Sequence, residues 1–335
     1  GVIVVTTKKG IAGQSHLNYT GEFTTRLVPS YRNFNILNSQ DQMGIYKELR
    51  DKGWLNLSSV LNGSDYGVYG KMYELINTYN TATGQFALPN TPEAMNGYLY
   101  NAEMRNTDWF SELFSANLMM NHSVSLSGGT EKTSYYASLS AMVDPGWYKQ
   151  SNVNRYTANL NTTYRISPAI QLNIIANASY RKQKAPGTLS QDVDVVNGQV
   201  KRDYDINPYS YALNSSRALD PDAYYQANYA PFNILHELDN NYIDLNVVDT
   251  KFQAELRWRP ITGLELAVLG AIKYATTSQE HKIKDASNQA LSYRAMGNTI
   301  IRDANNRLYT DPDNPYALPI TVLPEGGIYQ RTDNN

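Results

Sequence analysis

The stretch from 155 to 183 alternates apolar and polar side chains twice, with a short interruption at Ser167 and Pro168. In the first half, alternate positions from 156 to 166 are Tyr, Ala, Leu, Thr, Tyr and Ile, whereas those from 155 to 165 are Arg, Thr, Asn, Asn, Thr and Arg. The second half repeats the pattern from 170 to 183, with Ile175 as the exception. Because side chains alternate across a strand, this pattern predicts a β-hairpin with one apolar and one polar face.

Both arms of this hairpin are much longer than soluble strands, which average about 5 to 6 residues. At about 3.3 Å per residue an arm reaches roughly 40 Å, and a tilt of about 40° lets it cross the roughly 25 Å apolar band of an outer membrane. Tyr156, Tyr164 and Tyr180 lie toward the strand ends, where such barrels carry aromatic girdles. The hairpin therefore predicts a transmembrane β-barrel. A large soluble β-sandwich, whose strands also alternate, is the alternative.

The same period recurs along the chain and predicts seven long strands. They cover residues 14–27, 120–128, 133–143, 153–166, 170–183, 247–259 and 264–275. The connections alternate between tight turns, at 129–132, 167–169 and 260–263, and longer segments, at 28–119, 144–152 and 184–246. Tight turns on the periplasmic side and long loops outside are typical of outer-membrane barrels. A small hairpin (290–301 with 307–310) and a polar loop (330–335) are predicted near the end of the chain.

The first long connection predicts three short helices. One starts with Ser39 as its N-cap and ends at residue 53, a second covers 65–79, and a third follows a cap at Thr107 or Asp108. A connection of this length is rare in compact proteins, so we expect it to have a function. The fold class is thus all-β, with long extracellular loops that carry short helices.

Composition excludes several classes of protein. The chain has 335 residues, a net charge of −2 and no Cys. Disulfides and Cys-based metal sites are therefore absent, and bulk electrostatics does not favour nucleic acid. No apolar run approaches the roughly 18 residues of a membrane helix. The four His residues, at 16, 122, 236 and 281, are scattered, so no catalytic, cofactor or metal site is predicted and the protein is not expected to be an enzyme.

Two loop features are candidates for binding. The sequence from Asp311 through Asp313 to Pro315 places three oxygen ligands together and could hold Ca²⁺, although a Pro/Asp turn is the simpler interpretation. Tyr is abundant, with 27 residues against 7 Phe, and many of these lie in the long loops. Aromatic rings suit sugar stacking or peptide contacts. The substrate-contact candidates are Trp54, Trp109, Tyr209, Tyr211, Tyr224 and Tyr225. Loop packing is the equally strong alternative for each of them.

Three segments of this sequence resemble one family. The first is GVIVVTTKKG at 1–10, the second is NTDWFSELF at 106–114, and the third is NHSVSLSGGTEKTSYYASLS at 121–140. They are similar to the SusC/RagA-type TonB-dependent outer-membrane transporters, in which the first segment closes the plug domain and leads into the barrel. The resemblance implies that residues 1–10 are the last plug strand. Residues 11–335 are then the incomplete N-terminal part of a barrel of about 22 strands.

The resemblance also implies a function and partners. A protein of this family would import a large nutrient, an oligosaccharide or an oligopeptide, across the cell outer membrane. The TonB complex would drive uptake through an N-terminal part that lies outside this sequence, and a SusD-like surface lipoprotein would cap the extracellular face. Inward-facing Arg155, Arg165, Arg181, Arg257 and Arg259 would contact the plug or solvate the interior. A passive or adhesive outer-membrane barrel and a soluble, Tyr-rich carbohydrate-binding β-domain are the alternative functions.

Overall fold

One antiparallel sheet dominates the computed structural model, and its eight strands follow each other in sequence order. The structure describes residues 13–55, 67–187, 191–194, 199–202, 206–227, 230–294, 308–309, 320–321 and 326–334. The strands are β1 Gly13–Arg26, β2 Asn117–Gly129, β3 Thr133–Asp144, β4 Asn152–Ser167, β5 Ile170–Pro186, β6 Asn241–Ile261, β7 Leu264–Ile283 and β8 Ile328–Asn334. The seven predicted long strands are confirmed. The eight strands form part of an antiparallel barrel wall, so the predicted fold class is also confirmed.

One face of the sheet is apolar and the other is polar. One row of register partners crosses β1 to β7 through Leu17, Leu126, Ala137, Leu160, Ala176, Phe252 and Ile272. The adjacent row, on the opposite face, runs through Asn18, Ser125, Ser138, Asn159, Asn177, Lys251 and Lys273. The apolar face is open to its surroundings: Leu17 is 72% exposed and Ile272 is 73% exposed. A soluble sheet would bury such a face against a second layer.

Two predictions about strand extent were wrong. β6 and β7 run well beyond 247–259 and 264–275, and residues 328–334, predicted to be a polar loop at 330–335, form β8. Residues 328–334 pair with 277–283 of β7. These extensions lie at the end of the sheet where the long connections leave it. In the β6 extension the apolar side chains, Ile243 and Leu245, lie on the face opposite to Phe252, and residues 276–282 of β7 are all polar. Neither extension therefore continues the alternation by which the other strands are recognised.

Seven α-helices lie in the described part of the long connections. They are α1 Ser39–Asp51, α2 Gly67–Asn77, α3 Pro92–Arg105, α4 Trp109–Leu113, α5 Pro208–Asn214, α6 Ile234–Asn240 and α7 Asn288–Arg294, with a 3₁₀ turn at Tyr31–Asn33. The three predicted helices correspond to α1, α2 and α4, whereas α3, α5, α6 and α7 were missed. No helix among the described residues is both long and apolar enough to cross a membrane.

The helix caps correct one prediction and confirm another. The side chain of Asn38, not Ser39, caps α1 by accepting a bond of 2.9 Å from the Asp41 amide. Ser39 lies inside the helix, where its Oγ donates to the carbonyl of Glu103, 2.6 Å away. Asp108 caps α4 as predicted. Thr107, the alternative cap, instead donates its hydroxyl to the carbonyl of Leu219.

Short two-stranded ribbons join these helices, at 79–80 with 85–86, 191–194 with 199–202, 225–227 with 230–232, and 308–309 with 320–321. The predicted hairpin of 290–301 with 307–310 was wrong. Residues 288–294 are helical, and 308–309 pair with 320–321. The predicted plug strand at 1–10 and the Asp311–Asp313 loop lie outside the described residues.

A compact turn joins the first three strands at the long-connection end. The sequence Asp-Pro-Gly at 144–146 forms this turn, with Gly146 at φ +85°, and a Cβ there would lie only 2.1 Å from the Ser151 carbonyl oxygen. The Asp144 carboxylate accepts hydrogen bonds from the amide of Gly146 at 2.9 Å, from the side chain of Asn117 at 3.2 Å and from the guanidinium of Arg26 at 3.0 Å. One buried carboxylate thereby holds the ends of β1, β2 and β3 together.

Candidate functional site

The two long connections fold together into one helical layer at the same end of the sheet. Its buried residues form what we call the loop core. They are Met43, Val68, Tyr69, Met72, Ala102, Trp109, Phe110, Leu113, Phe114, Ile206, Ala212, Ala218, Leu219, Tyr225, Ile234 and Leu238. Hydrogen bonds join the same two segments: the Thr107 amide donates to the Arg217 carbonyl at 2.8 Å, and Gln42 Oε1 accepts from the Arg217 amide at 2.8 Å.

Aromatic rings make up the centre of the loop core. Phe110 is fully buried, and its ring centroid lies 4.7 Å from that of Tyr31, 5.3 Å from that of Phe34 and 6.0 Å from that of Tyr209. These offset and tilted arrangements are the ones that aromatic pairs prefer. The first connection supplies three of these rings and the second supplies Tyr209. Neither connection could bury these rings by itself.

Two of the six predicted substrate-contact residues are buried in the loop core. Trp109 is 2% exposed and donates its indole N–H to the Ser216 carbonyl at 3.0 Å. Tyr225 is 6% exposed, and its hydroxyl oxygen accepts from the Asp220 amide at 2.7 Å. Their polar atoms are satisfied inside the protein. In this arrangement both residues hold the loops together and present no ring surface to a ligand.

The other four candidates are more accessible. Tyr209 and Tyr211 are partly buried against the loop core, and Tyr211 stands edge-on to Trp109 with ring centroids 5.1 Å apart. Trp54 is 68% exposed, with the Lys52 ammonium 4.9 Å from its ring centroid. Tyr224 is 42% exposed and stands edge-on to His236. The structure does not bring Trp54 and Tyr224 into one cluster, and substrate contact by these residues stays a prediction.

An exposed apolar surface on α1 and α3 was not foreseen from the sequence. Tyr100 is 58% exposed and Met104 is 48% exposed, four residues apart on α3. Gln40 of α1 contacts the Met104 sulfur at 3.6 Å, so the two helices share this surface. Gly97 lies one turn from Tyr100 with open space around it. The sequence did contain a sign of α3, because Thr91 followed by Pro92 is a favourable N-cap and first helical residue.

A buried polar cluster attaches the second long connection to β6 and β7. The side chain of Asn241 donates to Glu237 at 3.1 Å and to Gln289 at 2.7 Å, and its oxygen lies 2.7 Å from His281 Nε2. Glu237 is 1% exposed and also accepts from the Asn288 amide at 2.5 Å. Each of these polar groups is satisfied by another, so the cluster fixes α6 and α7 against the sheet.

Tyr31 illustrates the electrostatics of the helical layer. Its hydroxyl donates to the Ala212 carbonyl at 2.5 Å, and the Arg217 guanidinium lies 4.2 Å from its ring centroid. Burial raises the pKa of the Tyr31 hydroxyl, and the nearby Arg217 charge opposes this shift only in part. Burial likewise raises the pKa of Tyr98. In the described part of the chain, no group of three or more His, Asp or Glu side chains is arranged to hold a metal ion.

Comparisons with known proteins agree with the sequence motifs. No family model matches the chain. A segment of 79 residues is 33% identical to the TonB-dependent receptor P26 of Formosa agariphila, which covers 24% of this chain and 8% of that protein. The fold matches the RagAB peptide importer in its closed-closed state, with a TM-score of 0.56 and 16% identity over 84% of this chain. It also matches the open-open state, with a TM-score of 0.57 and 16% identity over the same share.

The matches cover only part of each known protein. The chain spans 31% and 30% of the two importer chains, so it corresponds to part of such a barrel. The relatives are a receptor and an importer rather than enzymes. The motifs, the curated relative and the shared fold all agree, and the resemblance of this chain to the SusC/RagA-type TonB-dependent transporters is confirmed.

Proposed function

We propose that this chain is part of a transporter that imports a large nutrient, an oligopeptide or an oligosaccharide, across the outer membrane with energy from TonB. The observation that carries the proposal is the pair of adjacent rows through Leu160 and Asn159, one apolar and one polar across seven strands. A barrel wall between lipid and an aqueous lumen requires this arrangement. A soluble carbohydrate-binding domain would need a second layer over the apolar row.

The thickness of the apolar face supports a membrane location. Tyr156 and Tyr180 are direct register partners on the apolar face, and Tyr164 lies eight residues from Tyr156 on the same strand and face. At about 3.3 Å per residue the two levels are roughly 26 Å apart along the strand, or about 20 Å along the membrane normal for a tilt of 40°. Tyrosine rings at both levels would form the two aromatic girdles.

The polar face supports a lumen that holds a plug. Arg155 and Arg181 are direct register partners on that face, and the Nε of Arg181 is buried without a hydrogen-bond partner among the described residues. A buried charged donor needs an acceptor. We propose that residues 1–10 end a plug domain, that residues 11–335 form part of the barrel, and that carboxylates of the plug face these arginines.

The surface on α1 and α3 supports a protein partner. Tyr100 and Met104 are each more than 45% exposed and lie four residues apart on α3, so they form one exposed apolar surface. The long-connection end would lie outside the cell. We therefore propose that a SusD-like surface lipoprotein covers this surface. The similarity of the fold of this chain to that of the RagAB importer supports this proposal.

The experiment is an uptake assay on cells that express the full-length protein. Labelled oligopeptides and labelled oligosaccharides are supplied separately, with and without a protonophore. We expect one class to accumulate, and we expect the protonophore to abolish its uptake. Protonophore-insensitive uptake would instead show a passive barrel. If the protein is recovered in the soluble fraction, the proposal of a transporter is wrong.

A further inference from the structure

The apolar face of β5 becomes basic directly beyond the level of Tyr156 and Tyr180, which we call the upper aromatic level. Tyr180 belongs to that level, and the next two positions on the same face are Lys182 and Lys184. Their register partners on β6 are Asn246 and Asp244, which share a face with Phe252. The two lysines therefore point to the lipid side of the wall, at the height where the headgroups of the outer leaflet would lie.

The basic surface continues around the aromatic ring of Tyr242, a residue of β6. The ammonium groups of Lys184, Lys284 and Lys282 lie 4.3, 5.5 and 5.8 Å from the ring centroid of Tyr242. Lys282 is neutralised by Asp244, at 2.6 Å, and by Glu280.

The other three lysines of this surface form no direct ion pair with a described carboxylate, although Lys184 lies opposite Asp244, which binds Lys282. Lys184 donates to the side-chain oxygen of Gln150 at 3.2 Å, and Lys284 donates to the Asp239 carbonyl at 3.1 Å. Within the part of the chain that the structure describes, no carboxylate forms an ion pair with Lys182, Lys184 or Lys284. The surface thus retains positive charge that an anion can neutralise.

A groove of apolar residues lies immediately below this basic surface. Two adjoining depressions of roughly 440 and 610 Å³ share Val124, Leu139, Ala158 and Ala178 in their walls. Their floor is made by alanines, whereas Leu139, which is 66% exposed, projects beside it. Tyr156 and Tyr180 line the groove at the end nearest the lysines. Small residues between larger ones make a shallow apolar groove on the lipid-facing side.

We propose that this face binds a phosphorylated lipid of the outer leaflet. Its phosphate lies against Lys182 and Lys184, and one acyl chain occupies the groove floored by Ala158 and Ala178. Positive charge at headgroup height attracts anionic lipids, and the apolar groove that adjoins the basic surface favours a lipid over a free phosphate. This inference rests on the proposed location of the chain in an outer membrane.

The test is native mass spectrometry of the full-length protein in detergent, titrated with bisphosphorylated lipid A or with phosphatidylethanolamine. We expect lipid A to be retained in preference to phosphatidylethanolamine. Replacing Lys182 and Lys184 by Ala should weaken lipid A binding by about tenfold or more, because each lysine near a membrane surface contributes appreciably to anionic lipid binding. Ala178→Leu, which fills the groove, should also weaken it.

The matched control is Lys251→Ala with Lys273→Ala, a cross-strand lysine pair on the opposite face of the sheet. It should leave lipid A binding unchanged. Equal binding of both lipids, equal loss in the control, or full competition by inorganic phosphate would each overturn the inference. Heat-dependent gel mobility of the same samples reports barrel folding. A folded barrel in the outer-membrane fraction that lacks lipid selectivity refutes only this inference, whereas a soluble protein refutes the proposed function.

Discussion

Arg155 and Arg181 lie directly opposite each other on the polar face of β4 and β5. Like charges in this position destabilise a strand pair. Among the described residues no carboxylate forms an ion pair with either guanidinium, and the Nε of Arg181 is buried without a hydrogen-bond partner there. Negative charge from outside the sheet would relieve this repulsion and supply the acceptor that Arg181 lacks. A plug domain inside the barrel is the source that the proposed function provides.

The first prediction follows from this pair. In the full-length protein, Arg155→Gln combined with Arg181→Gln should loosen the plug, because hydrogen bonds to charged groups contribute about 1.5–3 kcal/mol each. Events in which the barrel opens to ions should become at least about tenfold more frequent. The measurement is ion conductance across planar bilayers. Arg50→Gln, on an exposed loop helix, is the control. Unchanged conductance in the double variant would argue against a plug contact at these arginines.

A second prediction concerns the two tryptophans of the first long connection. Trp109→Ala should destabilise the helical layer by about 3–5 kcal/mol, because it removes a ring that is only 2% exposed from the loop core. Trp54→Ala should change stability by less than about 0.5 kcal/mol, because that ring is 68% exposed. Limited proteolysis of the loops in folded protein measures both effects. If the two variants are equally resistant, the loop core does not stabilise these loops as described.

A third prediction tests the membrane-facing side of the sheet. Leu160→Arg on the apolar face should reduce barrel stability by about 2–4 kcal/mol if this residue lies near the bilayer centre. Asn159→Arg, one residue away on the polar face, should have little effect. Assembly into the outer membrane is followed by heat-dependent gel mobility. Equal assembly of the two variants would show that the apolar face does not meet lipid.

A fourth prediction concerns the buried polar cluster. Glu237→Ala removes an acceptor that the Asn288 amide and the Asn241 side chain use. This should lower the free energy of unfolding of the cluster by about 2–4 kcal/mol. We expect faster hydrogen exchange in α6 and α7 and no change in β1 to β4. The control is Glu48→Ala, which breaks an exposed ion pair with Lys52 and should change little. Exchange that rises equally across the whole sheet would contradict a local role.

A fifth prediction is a dependence on alkaline pH. Burial raises the pKa of Tyr31, Tyr98 and Tyr225 above the ordinary value of about 10. A tyrosine with a raised folded pKa contributes its full stability below pH 10, and this contribution is lost as pH rises toward the folded pKa. The helical layer should therefore become protease-sensitive above about pH 10. Tyr98→Phe should reduce the pH dependence, and an unchanged profile would contradict its burial as a neutral group.

The helical layer shows why part of the site could not be predicted. Aromatic residues in loops suit ligand contacts, so the sequence predicts Trp109 and Tyr225 as substrate-contact residues. In the structure both are core residues. Their burial depends on contacts between segments about 100 residues apart, such as the bond from Trp109 to Ser216. No local pattern records such contacts. The same holds for the basic surface around Tyr242, where Lys184 and Lys284 come from different elements.

The sequence alone determined the sheet. Period-two alternation is a local property that determines which side chains share a face, and its recurrence along the chain predicted the seven long strands and the tight turns between them. Only the tertiary structure decided the extensions of β6 and β7, the pairing of β8 and the loop core. These parts lie beyond the apolar band, where the alternation of the band does not continue: in β6 the apolar residues Ile243 and Leu245 are on the face opposite to Phe252. There, packing between distant segments determines the fold.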